Sequence, residues 1–367
     1  MQFTCDKNAL CNAIAHVSKG VSVKSPVPAL EGICVQMEDG CITLTGYDLE
    51  IGIRTSIPAE CTDDFAFVLN ARLFGDMARR MTGDTIVFEI DENLNAKLSS
   101  NDTPCRISAI SADEFPALPV VESTTKTCIP QELLRSMIQQ TAFAASTKED
   151  KPILTGLLFE SSEGTFYVVA MDRYRLAMRQ EQVADLGTFR FVVPKKALGE
   201  LISMLKDDAE NPCQFSTNGK HIVFSVNGFD LFARLLEGQF HNFRSSIPGD
   251  AKTVVTMNTK DLVSCAELCS LFINDKNKAP MRCEFGNSAM SISCKTAIGE
   301  VNDKVPADIS GEGVTIGFSN KYVLEALRAC ESDKIRLHMS GNNKVIKITP
   351  LEGESFVYLI MPIQLKN

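Results

Sequence analysis

The amino-acid sequence predicts an α+β fold made of three tandem copies of a unit with two helices and an antiparallel sheet. Short apolar strands begin near residues 3, 128 and 254, so one pattern returns about every 125 residues. Each start is followed by apolar residues at helical spacing, and later by another strand that leads into a second helix. A unit of about 125 residues also has the common size of a domain.

The first copy is predicted to occupy residues 1–122. It begins with a strand at residues 2–5 and continues with strands at 33–37, 41–45 and 65–69. Its helices carry, at helical spacing, Ala9, Leu10, Ala13, Ile14 and Val17, and then Leu73, Phe74, Met77 and Met81. An Asp-Gly pair between the second and third strands is typical of a tight hairpin. Residues 46–54 alternate with a period of two, which favours an extended run.

The second copy is predicted to occupy residues 126–248. Its strands are expected at residues 127–129, 154–160, 166–170, 190–193, 221–226 and 231–236. Its helices carry Leu133, Leu134, Met137, Ile138 and Ala142, and then Leu198, Leu201, Ile202 and Leu205. Residues 170–177 take the place that residues 46–54 take in the first copy. Ser/Thr-rich residues 120–126 read as the linker between the two copies.

The third copy is predicted to occupy residues 252–367. Strands are expected at 254–257, 314–318 and 356–360, and the helices carry Leu262, Val263, Ala266 and Cys269, and then Val323, Leu324 and Leu327. Pro362 marks the end of the last strand, because proline cannot donate to a hydrogen-bonded ladder. Ile363 and Leu365 follow without an evident core to enter, so we expect an exposed apolar lip there.

The composition is that of a globular protein, with 44% hydrophobic and 23% charged residues. There is no long apolar run and no signal-peptide pattern, so the sequence predicts a cytoplasmic protein without membrane contact. The 13 cysteines are scattered and form no Cys-x-x-Cys pair. Cys265 and Cys269 lie one helical turn apart and are expected to be buried apolar residues rather than half a metal site. The net charge of −9, taken by itself, argues against nucleic acid.

Motifs of catalysis and of cofactor binding are missing from the sequence. There is no phosphate-binding glycine loop, and the Gly311-Glu312-Gly313 run precedes a strand instead of following one. The four histidines lack metal-ligand spacing. Acidic pairs at residues 63–64 and 207–208 fall in polar connections and are expected to be solvated. We therefore expect a non-catalytic protein with no cofactor and no metal.

The order of several motifs resembles one known family. These motifs are the three copies, the exits at residues 113–119 and 238–244, Met-Asp-Arg-Tyr-Arg-Leu-Ala at 171–177 and Tyr-Leu-Ile-Met-Pro-Ile-Gln-Leu at 358–365. Together, over residues 1–365, they are similar to the bacterial DNA sliding clamps, the beta subunits of DNA polymerase III. The resemblance implies a processivity factor, a non-catalytic subunit of a nucleotidyltransferase holoenzyme that encircles duplex DNA.

The resemblance also implies how the ring closes. Two chains would form a head-to-tail homodimer of six domains, with the helices facing a central hole. The first copy in one chain would meet the third copy in the other chain. The contact would use Cys105 and Ile107 of the first copy and Leu271 and Phe272 of the third. The charge objection is then met, because DNA senses the basic lining and an acidic exterior repels it from the wrong face.

Two further sites follow from the resemblance. The positions implied for DNA binding are Lys24, Arg72, Lys148, Lys151, Lys195 and Lys196. A groove would accept a short apolar peptide from the replicative polymerase, the clamp loader and repair proteins. The positions implied for this partner groove are Leu154, Met171, Arg173, Tyr174, Arg175, Leu176, His241, Leu359, Ile360, Met361, Pro362 and Ile363.

The sequence departs from the family pattern at some of these positions. Arg173-Tyr174 stands where Gly-His is commoner, His241 replaces a proline, and Glu149 stands where the family often has glutamine. These changes leave the peptide preference open. Two other readings stay open as well: a nuclease or polymerase subunit, which needs converging carboxylates and Mg²⁺, and a repeat scaffold that does not bind DNA.

Overall fold

The computed structural model describes residues 1–38, 40–61, 63–101, 103–121, 126–208, 210–274, 277–286 and 288–365. The strands pair antiparallel in all three thirds of the chain, as residues 32–38 do with 41–47, residues 156–162 with 165–171, and residues 281–286 with 289–296. Antiparallel sheets combined with helices place the chain in the α+β class. The Asp-Gly turn predicted after residue 38 includes Asp39, which lies outside the described residues; its flanking residues Glu38 and Cys41 are paired.

Residues 1–121 hold two helices and all the strands predicted for the first copy, together with strands that the sequence did not predict. The strands are β1 (Gln2–Asp6), β2 (Gly32–Glu38), β3 (Cys41–Tyr47), β4 (Ile51–Pro58), β5 (Glu60–Cys61), β6 (Phe65–Asn70), β7 (Thr85–Ile90), β8 (Asn95–Ser100), β9 (Thr103–Ser108) and β10 (Ile110–Ser111). The helices are α1 (Lys7–Val17) and α2 (Ala71–Arg80).

Residues 126–248 repeat the arrangement. The strands are β11 (Thr127–Ile129), β12 (Gly156–Ser162), β13 (Thr165–Met171), β14 (Arg175–Gln182), β15 (Phe189–Pro194), β16 (Cys213–Thr217), β17 (His221–Val226) and β18 (Phe229–Arg234). The helices are α3 (Gln131–Gln139) and α4 (Lys195–Met204).

Residues 252–365 form the last copy. The strands are β19 (Thr253–Asn258), β20 (Met281–Gly286), β21 (Ala289–Thr296), β22 (Gly299–Gly311), β23 (Val314–Phe318), β24 (Lys334–Met339), β25 (Ile346–Pro350) and β26 (Phe356–Ile360). The helices are α5 (Thr259–Ser270) and α6 (Asn320–Ala329).

The strands assemble into sheets that cross the predicted copy boundaries. Strand orders are β5-β1-β7-β8-β9, then β10-β6-β2-β3-β4-β18-β17-β16-β11, then β15-β12-β13-β14-β26-β25-β24-β19-β22-β21-β20-β23. Strands β4 and β18 join the first and second copies, and β14 and β26 join the second and third. By contacts the chain therefore divides into two compact units, Met1–Leu134 with Lys196–Leu235, and Arg135–Lys195 with Leu236–Asn367. We call these unit 1 and unit 2.

The first helix shows why the sequence folds as it does. The carboxylate of Asp6 accepts a hydrogen bond from the backbone N–H of Ala9 at 2.7 Å and caps the free N-terminal end. One face of the helix is buried, and its residues follow the predicted helical spacing: Leu10, Ala13, Ile14 and Val17. None of the helices in the described part of the chain is long and apolar enough to cross a bilayer.

Several predicted boundaries are wrong; Met81 and Leu205, for example, directly follow α2 and α4. Helix α3 stops at Gln139, and Ala142 lies in a 3₁₀ turn. The Thr141 hydroxyl donates to the Met137 carbonyl at 2.7 Å and so competes with the helix backbone. Leu154 also lies in a 3₁₀ turn, because that turn starts at Pro152, which has no N–H for a ladder. The strand expected at 231–236 is β18, whose pairing with β4 starts at Phe229 and Thr55.

The alternating run at residues 46–54 is two strands joined by a turn, and the second copy has the same turn. The Asp48 carboxylate accepts from the N–H groups of Glu50 at 3.0 Å and Ile51 at 2.7 Å. In the second copy, Asp172 accepts from the N–H groups of Tyr174 at 2.7 Å and Arg175 at 3.0 Å. The predicted equivalence of residues 46–54 and 170–177 is thus a shared Asp turn between paired strands.

Candidate functional site: an apolar groove in unit 2

The seam between β14 and β26 forms the floor of the candidate groove. Arg175 pairs with Ile360 and Leu176 with Leu359, which brings together segments that are far apart in the sequence. Leu176 and Leu359 are 3% and 4% exposed and belong to one apolar cluster. Leu154 and Met171 are partly buried and pack against that cluster. The floor is therefore a fixed apolar surface rather than a mobile loop.

Arg175 supports the turn at the rim of this floor. Its Nε donates to the Asp172 carboxylate at 3.1 Å, and its Nη1 forms an ion pair with Glu325 of α6. The guanidinium carbon lies 4.5 Å from the ring centre of Tyr322 and 5.5 Å from that of Phe143. The side chain is only 7% exposed, so it acts from inside the structure.

Three large apolar side chains remain open to solvent beside the floor. Tyr174 is 53% exposed, Met361 47% and Ile363 39%. The N–H of Met361 donates to the carbonyl of Tyr174 at 2.8 Å, which ties the two segments together. The ring of Tyr174 stacks on that of Tyr322 with centroids 6.1 Å apart. Neighbouring exposed apolar groups of this kind are typical of a surface that binds a partner.

The groove continues past Tyr174 as a cavity of about 770 Å³. Its lining is Tyr174, Ser270, Ile273, Asn274, Lys278, Ala279, Ser319, Asn320, Lys321, Tyr322, Leu324, Glu325, Arg328, Met361, Pro362 and Ile363. Sequence reasoning did not place Tyr322, Leu324 or Ile273 at the site. The only signal for Tyr322 was an aromatic residue beside the buried stripe of α6, which by itself does not indicate a groove.

The remaining predicted groove residues lie on the polar rim. Arg173 is exposed and forms an ion pair with Asp150. His241 is exposed, with its Nε2 at 3.3 Å from the Ser246 hydroxyl. It directly follows Phe240, which belongs to the same apolar cluster as Leu176. All the predicted groove positions thus fall within unit 2.

In unit 1, the cations predicted for DNA binding differ in solvent exposure and in ion pairing. Lys24 is exposed in the connection after α1. The side chain of Arg72 is 90% exposed and lies 4.0 Å from Asp76. Lys196 forms a 2.6 Å ion pair with Asp48, the residue that makes the turn between β3 and β4. Lys24 and Arg72 therefore present their charge to solvent with little competition.

In unit 2, Lys148 and Lys151 are exposed on the loop before β12. Lys195 is half-buried at the start of α4, and burial, together with the nearby Arg175, lowers the pKa of its ammonium group. Of the cations predicted for DNA binding, Lys195 is thus the least suited to a phosphate.

The residues predicted for the dimer contact lie at surfaces of their own units. Cys105 and Ile107 lie on β9, which ends its strand order, and both are half-buried. Leu271 follows α5 directly and is 67% exposed. Phe272 is half-buried, and its ring lies where a side chain at Gly299 would be. Apolar side chains next to an open strand edge are typical of an interface.

The cysteines of α5 lie in the core, as the sequence analysis expected. Cys265 and Cys269 are both buried. The pKa of the Cys269 thiol is raised, first by its hydrogen bond with the Cys265 thiol and then by burial. Protonated buried thiols are poor nucleophiles and poor metal ligands. In the described ranges, no group of His, Cys, Asp and Glu side chains is arranged to hold a metal ion.

Three tandem copies of a sheet-and-helix unit, with an apolar groove supported by a buried arginine, define a repeat protein of the clamp class. The chain belongs to the bacterial beta sliding clamp family, the beta subunits of DNA polymerase III. Family models for the N-terminal, central and C-terminal domains of the DNA polymerase III beta subunit match residues 1–119, 128–242 and 244–364.

Relatives match the chain from end to end. The beta sliding clamp of Bacillus subtilis is 31% identical over 99% of this chain and 100% of its own length. The crystal structure of the DNA polymerase sliding clamp from Bacillus subtilis superposes with a TM-score of 0.96, at 30% identity over 100% of both chains. That of a putative DNA polymerase III beta subunit from Eubacterium rectale gives 0.96, at 27% identity over 99% of both.

Proposed function

We propose that this protein is the processivity factor of a replicative DNA polymerase. Two chains close head to tail into a ring of six domains around duplex DNA, and the ring tethers the polymerase while it slides. The observation that carries this proposal is the match over the whole length to beta sliding clamps, at a TM-score of 0.96. The protein contributes no catalytic group; its task is to keep the polymerase on its template.

The unit 2 groove is the attachment point for partners in this proposal. Its floor is apolar and fixed, its rim carries the exposed Tyr174, Met361 and Ile363, and its cavity is about 770 Å³. Pockets of this size, with apolar walls and a few polar groups, suit a short peptide with apolar side chains. The replicative polymerase, the clamp loader and repair proteins would use such peptides in turn, which makes their binding mutually exclusive.

DNA is held by topology in this proposal, with the exposed Lys24, Arg72, Lys148 and Lys151 acting on loading and orientation. Few direct contacts fit a chain whose net charge is −9. A protein that slides must avoid strong fixed contacts with phosphates. The place of action is the cytoplasm, where bacterial DNA is replicated.

The test is retention on DNA in salt. An ordinary DNA-binding protein loses affinity steeply as salt rises, because counterions are released on binding. A closed ring loaded by its clamp loader onto nicked circular DNA should survive a high-salt wash, since screening does not open an apolar interface. Cutting the circle should then release it. The fraction of labelled protein that stays with the DNA is measured before and after cutting.

Two outcomes would contradict encirclement. Loss from the circle in salt alone would indicate ordinary phosphate contacts, and equal retention on circle and line would indicate a fixed site. A protein that never associates with the circle would favour the DNA-independent scaffold. The same wash with naked linear DNA is the matched control.

A further inference from the structure

The C-terminal segment at residues 361–365 is tied to unit 2 at two separate points. Its first tie is the 2.8 Å hydrogen bond from the Met361 N–H to the Tyr174 carbonyl. Its second is a 2.7 Å hydrogen bond from the Ile363 N–H to the carbonyl of Gly317, in an antiparallel bridge. Pro362 lies between them and has no N–H to add a third. We call residues 361–365 the strap.

The second tie lies on the outer edge of β23, where the described sheet order has no further strand. Strand β23 pairs with β20 on one side, where Gly317 lies opposite Arg282, and it ends the strand order of its sheet. The strap lies along the other side of β23 in the described chain. Because Met361, Pro362 and Ile363 all line the groove, the position of the strap sets the shape of the groove wall.

Gly317 is the residue that lets the strap approach so closely. A Cβ at this position would lie 2.7 Å from the Ile363 carbonyl oxygen and 2.7 Å from a Leu365 methyl carbon. The first of these atoms belongs to the backbone, so it cannot move aside without displacing the strap. Gly317 does not adopt a positive φ, so glycine is needed here because of the limited space and not because of the backbone conformation.

We propose that Gly317 is a positioning residue for the partner groove, because its missing side chain seats the strap that forms the groove's lip. A methyl group at residue 317 pushes residues 363–365 off β23 and breaks the second tie. Met361 stays held by Tyr174, so the floor persists while the lip is lost. This inference rests on the proposed peptide-binding function and adds a residue that does not itself touch the peptide.

The test is a double-mutant cycle on the full-length dimer. Four proteins are compared: the parent, Gly317→Ala, a chain that ends after Pro362, and the two changes combined. Binding of a fluorescein-labelled pentapeptide of leucine and phenylalanine, chosen because the floor and the exposed rim of the groove are apolar, is followed by anisotropy. Gly317→Ala should weaken it about tenfold, the factor that a loss of about 1.4 kcal/mol produces. In the chain that ends after Pro362, the same substitution should have no further effect.

Two controls separate positioning from a general loss of structure. Gly286→Ala lies on β20 in the same sheet, with no atom within 4 Å of the added Cβ, and should bind the peptide like the parent. Exchange of the Ile363 amide hydrogen should become faster in Gly317→Ala, because displacement of the strap separates this N–H from the Gly317 carbonyl. The thermal midpoint of the combined variant should equal that of the shortened chain.

The outcomes distinguish this inference from the proposed function. A parent that does not bind the peptide, or a shortened chain that binds it equally well, would overturn the groove assignment itself. A shortened chain that binds weakly beside a Gly317→Ala protein that binds like the parent would overturn only the role of Gly317. Equal losses from Gly317→Ala in the full and shortened chains would do the same, since the residue would then act without the strap.

Discussion

At the scale of single residues, the buried Arg175 joins the Asp172 turn to α6 beside the candidate groove. It is charged and 7% exposed, and it satisfies its donors with Asp172 and Glu325 while two aromatic rings cover it. Buried ions are tolerated when paired in this way, and removal of one partner is costly. The sequence resemblance placed Arg175 at the groove but could not indicate that it works from beneath the rim.

The Glu325→Gln substitution tests this support. It removes the charge that reaches Arg175 from α6 and leaves Asp172 as the remaining carboxylate. We expect a loss of about 1–3 kcal/mol, the cost of disturbing a hydrogen bond to a buried charged group. The thermal midpoint should fall, and the affinity for the apolar peptide should fall with it, because Tyr322 and Tyr174 lose a fixed neighbour.

A matched control lies in unit 1, whereas the groove residues lie in unit 2. Glu89→Gln breaks the 2.6 Å ion pair with Lys97, and the two side chains are 45% and 41% exposed. Exposed pairs contribute about 0–1 kcal/mol, so this variant should keep nearly the parent stability. If both variants gave the same midpoint and the same affinity, Arg175 would not be the support described above.

At the scale of elements, the last strand and the strap that follows it have separate tasks. Strand β26 pairs with both β14 and β25, and its residues are all buried. The strap begins after Ile360 and adds the tie to Gly317 and an exposed apolar surface. Folding therefore depends on β26, and we expect partner binding to depend on the strap.

Removal of residues 363–367 tests this division. The chain loses one backbone hydrogen bond of the strap, so its unfolding free energy should change by only about 1 kcal/mol. Its affinity for the polymerase peptide should fall sharply, since one wall of the groove is gone. Titration calorimetry gives the affinity, and circular dichroism gives the stability.

The control for this deletion is a chain that ends after Leu365, which keeps the whole strap. It should bind the peptide as the parent does. If calorimetry gave one affinity for the parent and for the chain without residues 363–367, the lip would lie outside the binding site.

At the scale of the whole molecule, the open edge of β9 and the apolar end of α5 suit the proposed head-to-tail contact. Leu271 is 67% exposed, and Leu268 and Ile298 nearby in the same copy are 42% and 59% exposed. Isolated apolar residues are ordinary on a surface, but several in the same copy favour burial against a second chain.

Replacing Leu271 and Phe272 together by alanine should convert the proposed dimer into monomers at sub-micromolar concentration. Truncation of a large apolar side chain at a packed site costs about 2–5 kcal/mol. Two such losses should weaken the association of the chains enough to prevent dimer formation at this concentration. Sedimentation velocity across a dilution series measures the result. Leu271→Lys is a second variant that leaves the core intact, because only the exposed residue changes.

Leu351→Ala serves as the control for the dimer experiment, since Leu351 is 36% exposed on the connection between β25 and β26. It should sediment as the parent does. An unchanged dimer in both Leu271 variants would exclude this surface from the contact between chains.

The sequence by itself determined the repeat, the helices and about half of the described strands. These features are local, since a buried face imposes its period on nearby residues, as in Leu10, Ala13, Ile14 and Val17 of α1. Local competition explains the wrong boundaries, at Ala142 beside a back-bonded threonine and at Leu154 after a proline. The strands that the sequence did not predict include β7, β8, β9, β16, β20, β21, β22, β24 and β25. Of these, β22 is mostly polar and exposed, so its buried Val301 and Val305 give no period-two pattern.

Only the tertiary structure decided how distant segments meet. The pairing of Arg175 with Ile360 depends on strand register between two copies, which no local pattern encodes. The same holds for the ion pair of Arg175 with Glu325, for the stacking of Tyr322 under Tyr174, and for the seat of the strap on Gly317. Periodicity shows which face of an element is buried, whereas packing alone shows which neighbour it is buried against.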